Sequence, residues 1–180
     1  MQAAAAGFHD GAMEPLTESA TQALEAFADT ILPGEKRSPD DRAIAGVAEG
    51  GGAVAAGAVA LLSHPATGFA DLLEGLGSML DAHGIVDLPF EERTALLQRL
   101  LAPDNPERTF WVGLAMFCTM AFDSAPHMST VDAVTSGHPG LATIGYARPD
   151  DDGLWRFPAY SYGRPLSRIH PNTTPTGSPA

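Results

Sequence analysis

The chain has 180 residues, one cysteine and a formal net charge of −12. A single cysteine excludes an internal disulfide and a thiolate zinc cluster, and so acidic a chain repels nucleic-acid phosphates and anionic membrane surfaces. Its length is enough for one domain with a core of its own.

The first 15 residues contain no arginine pair, no basic segment and no long apolar run. Export leaders need such features, so we expect a flexible N-terminus over residues 1–15 and a cytoplasmic protein. The most apolar stretch, residues 50–62, is shorter than the roughly 20 residues that span a bilayer. It predicts a buried helix and no membrane partner.

Helical periodicity dominates residues 16–139, which we expect to form a mainly α domain, a compact bundle of about five to six helices. The first helix starts at Leu16 and stops at Pro33-Gly34. A second is predicted from Ser38 to Glu49, after which three consecutive glycines either end it or permit very close packing. Further helices are predicted at residues 50–62, 69–83 and 89–101, and after Pro106 as a long, largely buried helix with Cys118 in the core. At most one short helix is predicted near residues 130–136.

Residues 140–180 are predicted to form a long, irregular arm, rich in proline and aromatic residues, that packs on the helical body or on a partner. Residues 1–139 carry 6 basic and 19 acidic side chains, net −13, whereas residues 140–180 carry 4 and 3, net +1. A nearly neutral aromatic segment joined to an acidic body suits an interface, where tyrosine, tryptophan and arginine are enriched.

The sequence lacks the motifs of phosphate loops, zinc proteases and serine hydrolases, and it predicts no metal site. Histidine and aspartate side chains are the weak candidates for acid–base catalysis. These candidates are His127, Asp132, His138 and His170. The ordinary alternative for the two histidines that adjoin prolines, His127 and His138, is a position in a loop without a chemical role.

The densest set of functional groups lies at residues 160–171, with two tyrosines, two arginines and a histidine. Such groups suit either a pocket for an anionic or aromatic ligand or a strip at a protein interface, and we favour the interface. The predicted partner- or ligand-binding residues are Trp155, Tyr160, Tyr162, Arg164, Arg168, His170 and Asp29. Asp29 is included because its carboxylate could pair with an arm arginine; the alternative is a solvated carboxylate at a helix end.

Three short motifs resemble the gluconate 2-dehydrogenase subunit 3 family: Phe-Ala-Asp-Thr-Ile-Leu-Pro-Gly at residues 27–34, the Phe110-Trp111 pair, and Ile144-Gly145-Tyr146. In that family a small helical accessory subunit binds a large flavoprotein of the glucose-methanol-choline type. The resemblance covers roughly residues 16–146. It implies that FAD belongs to the partner, that this chain binds no cofactor, and that no catalytic residue can be carried over.

Two departures refine this expectation. Family members commonly begin with a twin-arginine export signal, which this sequence lacks, so we expect an intracellular complex. The arm resembles an actinobacterial subgroup linked to natural-product metabolism. The resemblance therefore implies an accessory subunit of an oxidoreductase acting on a sugar, alcohol or natural-product intermediate, stabilising the catalytic subunit and shaping its substrate entrance.

An alternative remains open: a stand-alone, cofactor-free cyclase, isomerase or dehydratase. It would use the candidate histidines and aspartate as acid and base, and Arg164 or Arg168 would hold an acidic substrate.

Overall fold

The computed structural model describes residues 15–36 and 48–172. Within these ranges the chain forms seven α-helices and no strand, which confirms the predicted mainly α fold with an irregular C-terminal arm. The helices are α1 (Glu18–Ile31), α2 (Ala58–Leu62), α3 (Leu73–Ala82), α4 (Phe90–Leu100), α5 (Arg108–Ser124), α6 (Thr130–Thr135) and α7 (Pro139–Thr143). Short 3₁₀ turns cover Pro65–Thr67, Ala70–Leu72 and Pro158–Tyr160.

Helix α1 is defined by its cap and by the proline after it. The Thr17 hydroxyl accepts a hydrogen bond from the Ala20 N–H at 3.3 Å, which satisfies one of the free donors of the first turn. The backbone N–H and the hydroxyl of Thr17 both donate to the carboxylate of Glu74 on α3, at 3.0 and 2.8 Å. The same residue therefore starts α1 and ties it to α3. At the other end, Pro33 removes a helical donor and stops the helix.

The core lies between α1, α3, α4 and α5, with α2 against α5. Helices α1 and α3 meet closely because Gly77 presents no side chain to Ala20: a Cβ there would lie 2.7 Å from the Ala20 Cβ. The rings of Phe27 and Trp111 join α1 to α5, with centroids 6.0 Å apart. Other fully buried side chains are those of Leu24, Leu62, Leu73, Leu80, Ile85, Leu96, Leu114 and Cys118.

The three consecutive glycines serve close packing, as one of the two sequence interpretations has it. The Ala53 N–H donates to the Leu32 carbonyl at 3.0 Å, and the Glu35 N–H donates to the Gly50 carbonyl at 2.8 Å. A Cβ on Gly52 would lie 2.4 Å from the Leu32 carbonyl oxygen. Because no side chain fits there, glycine is required where this segment crosses the end of α1.

The predicted helix at residues 50–62 is mostly wrong, since only Ala58–Leu62 is helical. Gly57 has a φ of 82°, in the left-handed region, and the residues before it form turns. The backbone bonds to the α1 end hold this segment out of a helix. The first part of residues 50–62 therefore crosses the end of α1, and only the last five residues form a short helix.

Helix α5 is less buried than the sequence predicts. Its inner face, with Trp111, Leu114, Cys118 and Ala121, lies in the core. On the rest of the helix, Phe110 is 45% exposed and Met116 is 52% exposed. The described neighbours of α5 therefore leave part of its apolar surface exposed to solvent.

The short helix expected near residues 130–136 is confirmed as α6, whereas α7 was not predicted. Pro139 at its first position suits a helix start, and the His138 ring caps it. The predicted N-terminal segment 1–15 lies, except for Pro15, outside the described residues, as does most of the predicted helix from Ser38 to Glu49. The predicted boundary between body and arm at 139/140 falls within α7 and stays a prediction.

None of the described helices combines the length and apolar character needed to cross a bilayer.

Candidate functional site

The arm leaves the helical body at Tyr146, whose backbone N–H donates to the Leu141 carbonyl at 2.9 Å. Two residues later, a terminal nitrogen of Arg148 donates to the Thr135 hydroxyl at 2.7 Å and ties the arm to α6. The Trp155 indole N–H donates to the Ala147 carbonyl at 2.8 Å, so the arm folds back on itself.

Arg156 holds the folded arm together through its hydrogen bonds. Its Nη1 donates to Asp150 at 2.6 Å and to Asp152 at 2.7 Å, and its Nη2 donates to the second oxygen of Asp152. Its Nε donates to the Ser167 carbonyl at 2.6 Å, which brings the distal part of the arm alongside. These hydrogen bonds lower the pKa of Asp152 and raise that of Arg156. A bidentate guanidinium–carboxylate pair fixes geometry as well as charge.

We call the hydrogen bonds from Arg156 to Asp150, Asp152 and Ser167 the Arg156 clamp. Around it, the large side chains of the arm face outward. Trp155 and Phe157 are about half exposed, Tyr160 is 75% exposed and Tyr162 is 94% exposed. Tyr162 also has a φ of 53°, a left-handed conformation uncommon for a residue with a side chain. The arm thus has local order but contributes little to the core of the body.

The predicted cations of the arm lie on the same segment. Arg164 and Arg168 are exposed, and the His170 Nδ1 accepts a hydrogen bond from the Asn172 N–H at 3.2 Å. The structure therefore places Trp155, Tyr160, Tyr162 and these cations on one exposed arm. Among the described residues, none of these groups forms a hydrogen bond, ion pair or ring contact with His127 or His138.

Asp29 belongs to the body. Its side chain is 1% exposed, and its Oδ1 accepts a hydrogen bond from the Gly34 N–H at 2.9 Å. The interpretation as a solvated carboxylate is therefore wrong, and the pairing with an arginine of the arm stays a prediction. In the motif of residues 27–34, Asp29 closes the turn that follows α1.

His127 and His138, far from the arm motif in sequence, lie together with ring centroids 6.4 Å apart. His138 is buried, its Nδ1 accepts from the Leu141 N–H at 3.4 Å, and its Nε2 lies 3.2 Å from the Ala56 carbonyl oxygen. Because Nδ1 is an acceptor, the proton belongs on Nε2, which donates to Ala56. His138 therefore joins α7 to the turns before α2.

His127 has no such partners. Its Nδ1 is buried without a hydrogen bond to any described residue. Its Nε2 lies against Gly57, where a Cβ would be 2.5 Å away. Burial lowers the pKa of His127, and the neighbouring His138 and His64 lower it further. Burial and the two neighbouring imidazoles therefore favour the neutral form of the ring.

The two histidines line an open pocket of about 320 Å³. The other lining residues are Ala55, Ala56, Gly57, Met128, Ser136, Gly137 and Pro139. Asp132, the predicted acidic partner, is not among them. It lies in the first turn of α6 and accepts a hydrogen bond from the hydroxyl of Ser129, the residue that caps this helix, at 2.7 Å.

Chemically, the pocket offers a neutral imidazole able to exchange a proton and a second one fixed by hydrogen bonds. Among the described residues, no three His, Cys, Asp or Glu side chains are grouped so as to hold a metal ion. Cys118 lies elsewhere, in the core, where burial raises the pKa of its thiol to about 12. The expected buried and unreactive cysteine is confirmed in its position.

Sequence reasoning missed Arg156 and Gly57. Arg156 had a recognisable pattern, because it follows Asp152 by four residues in a segment with three consecutive aspartates. Gly57 had none, since its role depends on a ring that is 70 positions away in the chain.

The chain matches the model of a family of unknown function, DUF5987, over residues 18–86 and 83–180. No curated protein and no solved structure is significantly similar to it. Because the two matched segments together cover most of the sequence, the chain belongs to the DUF5987 family.

Proposed function

We propose that this protein is a small accessory subunit of an intracellular flavin-dependent oxidoreductase of the glucose-methanol-choline type. The arm binds the catalytic subunit, which holds FAD, and shapes the entrance for a sugar, alcohol or natural-product substrate. The proposal combines the family resemblance in the sequence with the outward-facing aromatic groups of the arm.

The observation that carries the proposal is the exposure of Trp155, Phe157, Tyr160 and Tyr162 on one segment. Aromatic rings in water are unfavourable, and tyrosine, tryptophan and arginine are the residues most enriched at binding hot spots. A segment that supplies all three, with Arg164 and Arg168 beside them, fits a protein partner that offers apolar pockets and carboxylates.

The clamp at Arg156 supports the same proposal through its effect on binding entropy. Ordering an extended segment on a partner costs conformational entropy for each residue that becomes fixed. The bonds from Arg156 to Asp150, Asp152 and Ser167 already restrict the arm in the isolated chain. Less entropy is then lost on binding, so the arm suits recognition better than an unstructured tail does.

Copurification tests the proposal. The tagged chain, expressed in its native host, should retain a flavoprotein that is identified by FAD absorbance and by mass. The double variant Tyr160→Ala, Tyr162→Ala should reduce the retained flavoprotein about tenfold or more, because exposed tyrosines that become buried act as hot spots. Val131→Ala is the matched control, since Val131 is 70% exposed but lies on α6.

Retention of no flavoprotein by the wild-type chain, or equal retention by the double variant and the control, would refute the proposal.

The pocket beside His127 and His138 favours a second candidate, a cofactor-free enzyme that uses imidazole as acid and base. Its test is turnover by the isolated chain of a substrate found by metabolite screening. For such an enzyme, His127→Gln should abolish turnover, and the wild-type chain should capture no flavoprotein. An accessory subunit should instead lose its partner with the arm variant and keep it with His127→Gln.

A further inference from the structure

The outward face of α5 is an exposed apolar stripe formed by Val112, Met116 and Met120. These residues follow one another at intervals of four, so their side chains line up on one side of the helix. They are between 36% and 52% exposed. We call this face the α5 stripe.

The described part of the chain leaves this stripe open. The opposite side of α5 holds Trp111, Leu114 and Cys118 in the core. One flank is covered by the ring of Phe69, which meets the Phe117 ring edge-on at 5.7 Å. No described element covers the remaining side, which is apolar from Val112 to Met120, about two and a half turns of helix.

The charges of α5 indicate what covers the stripe. Within this helix the charged residues are Arg108 at the start and Asp123 near the end, so its net charge is zero in a chain of −12. Arg108 donates through Nε to the Leu101 carbonyl at 3.0 Å. Its terminal nitrogens, and the carboxylate of Asp123, have no partner among the described residues. The stripe is thus a neutral surface with one free charge of each sign at opposite ends.

We propose that α5 is a self-association surface, on which two copies of the chain pair antiparallel about a two-fold axis near Met116. Arg108 and Asp123 lie eight residues before and seven residues after Met116. An antiparallel arrangement therefore brings Arg108 of one copy beside Asp123 of the other, and symmetry repeats the pair at the second end. The methionines meet in the middle, where their flexible, polarisable side chains adapt to each other.

The size of the surface sets the strength of the dimer. A helix of 17 residues is about 25 Å long, and a strip about 10 Å wide along it offers roughly 250 Å². Stable interfaces bury about 800 Å² on each partner. The pairing is therefore weak and reversible, and it becomes populated as concentration rises. It is independent of the arm and of the function proposed above.

Analytical ultracentrifugation over a wide range of concentrations tests the pairing. The wild-type chain should sediment as a monomer when dilute and approach twice that mass when concentrated. Arg108→Asp and Asp123→Arg should each weaken association about tenfold, because like charges then face each other at both ends. The double exchange, Arg108→Asp with Asp123→Arg, should restore it. Circular dichroism establishes that each variant is folded.

A second pair of variants tests the apolar part. Met116→Glu should abolish association, whereas Val131→Glu, at a still more exposed position on α6, should leave it unchanged. A wild-type chain that stays monomeric at every concentration would overturn the proposal, as would a folded double exchange that fails to restore association. If Met116→Glu instead weakens capture of the flavoprotein by a monomeric chain, the stripe belongs to that interface and self-association is wrong.

Discussion

His127 lies between the left-handed turn at Gly57 and the ring of His138, with its Nδ1 buried and unpaired among the described residues. Burial is the main cause of its lowered pKa, followed by His138 and His64. In the unfolded chain the pKa of a histidine is about 6.5. Below that pH the unfolded state binds more protons than the folded state, so folding loses stability as the pH falls from about 6.5 towards the lowered pKa of the folded state.

We therefore predict that acid weakens the fold through His127. The free energy of unfolding of the wild-type chain, measured by urea denaturation, should fall between neutral and mildly acidic pH. In His127→Gln this fall should be smaller, because the titrating group is gone. Val131→Ala is the control, since Val131 is exposed on α6 and its replacement removes no titratable group, so the wild-type slope should be retained. Equal pH slopes for His127→Gln and the wild type would contradict the assignment.

The outcome at single residues shows what a sequence reveals about a site. The candidates His127 and His138 are 11 positions apart in the sequence, and the structure brings their rings together. Asp132 lies between them in the sequence, but its position in the first turn of α6 directs its carboxylate to Ser129. Whether a side chain caps a helix or faces a pocket depends on the helix boundary, which sequence locates poorly.

At the scale of elements, the α1–α3 contact depends on one glycine of α3. A Cβ on Gly77 would lie 2.7 Å from the Ala20 Cβ and 2.8 Å from its Cα, so the two helices would have to separate. Gly75, two positions earlier on the same helix, has no atom within 4 Å of its Cβ position. Both positions are glycines of α3, and they differ in the atoms that surround them.

We predict opposite effects of alanine at these sites. Gly77→Ala should destabilise the protein by about 1 to 3 kcal/mol through overpacking. Gly75→Ala should stabilise it by about 0.5 to 1 kcal/mol, because alanine has less backbone freedom to lose in a helix. Thermal and urea unfolding of the two variants measure both changes. Similar effects of the two substitutions would show that α1 and α3 do not cross at Gly77.

Helices that depend on their own local sequence could be predicted, whereas features that depend on contacts with distant residues could not. Helices α1, α3, α4 and α5 were expected from apolar periodicity and from residues such as Pro33 and Gly84 that stop a helix. The short helices α2 and α7 contain five residues each, too few for a periodic pattern. Close packing at the three glycines was one of two interpretations, but its partner could not be predicted, because Gly52 packs on the α1 end about 20 positions earlier.

At the scale of the whole molecule, the body and the arm have separate supports. The arm keeps its own shape through the Arg156 clamp and is tied to α6 by the bond between Arg148 and Thr135. Its large side chains are exposed. The sequence shows that the arm is rich in aromatic residues, and it predicts that the arm packs on the body or on a partner. The hydrogen bonds of Arg156 could not be predicted, since they depend on how the chain folds back.

We predict that deleting residues 147–180 changes the stability of the body little. The loss of an exposed hydrogen bond such as that from Arg148 costs about 0.5 to 1.5 kcal/mol at most. The midpoint of urea unfolding, followed by helical circular dichroism, should therefore stay close to that of the full chain. A much larger loss would mean that the arm is part of the folded core.

One of the two tryptophans of the chain lies in the helical body and the other lies in the arm. Trp111 is enclosed beside Phe27, while Trp155 is half open to water on the arm. Fluorescence from each indole therefore reports a different event. With Trp155→Phe the emission follows unfolding of the helices alone, and with Trp111→Phe it follows the docking of the arm, so both equilibria can be observed without an attached dye.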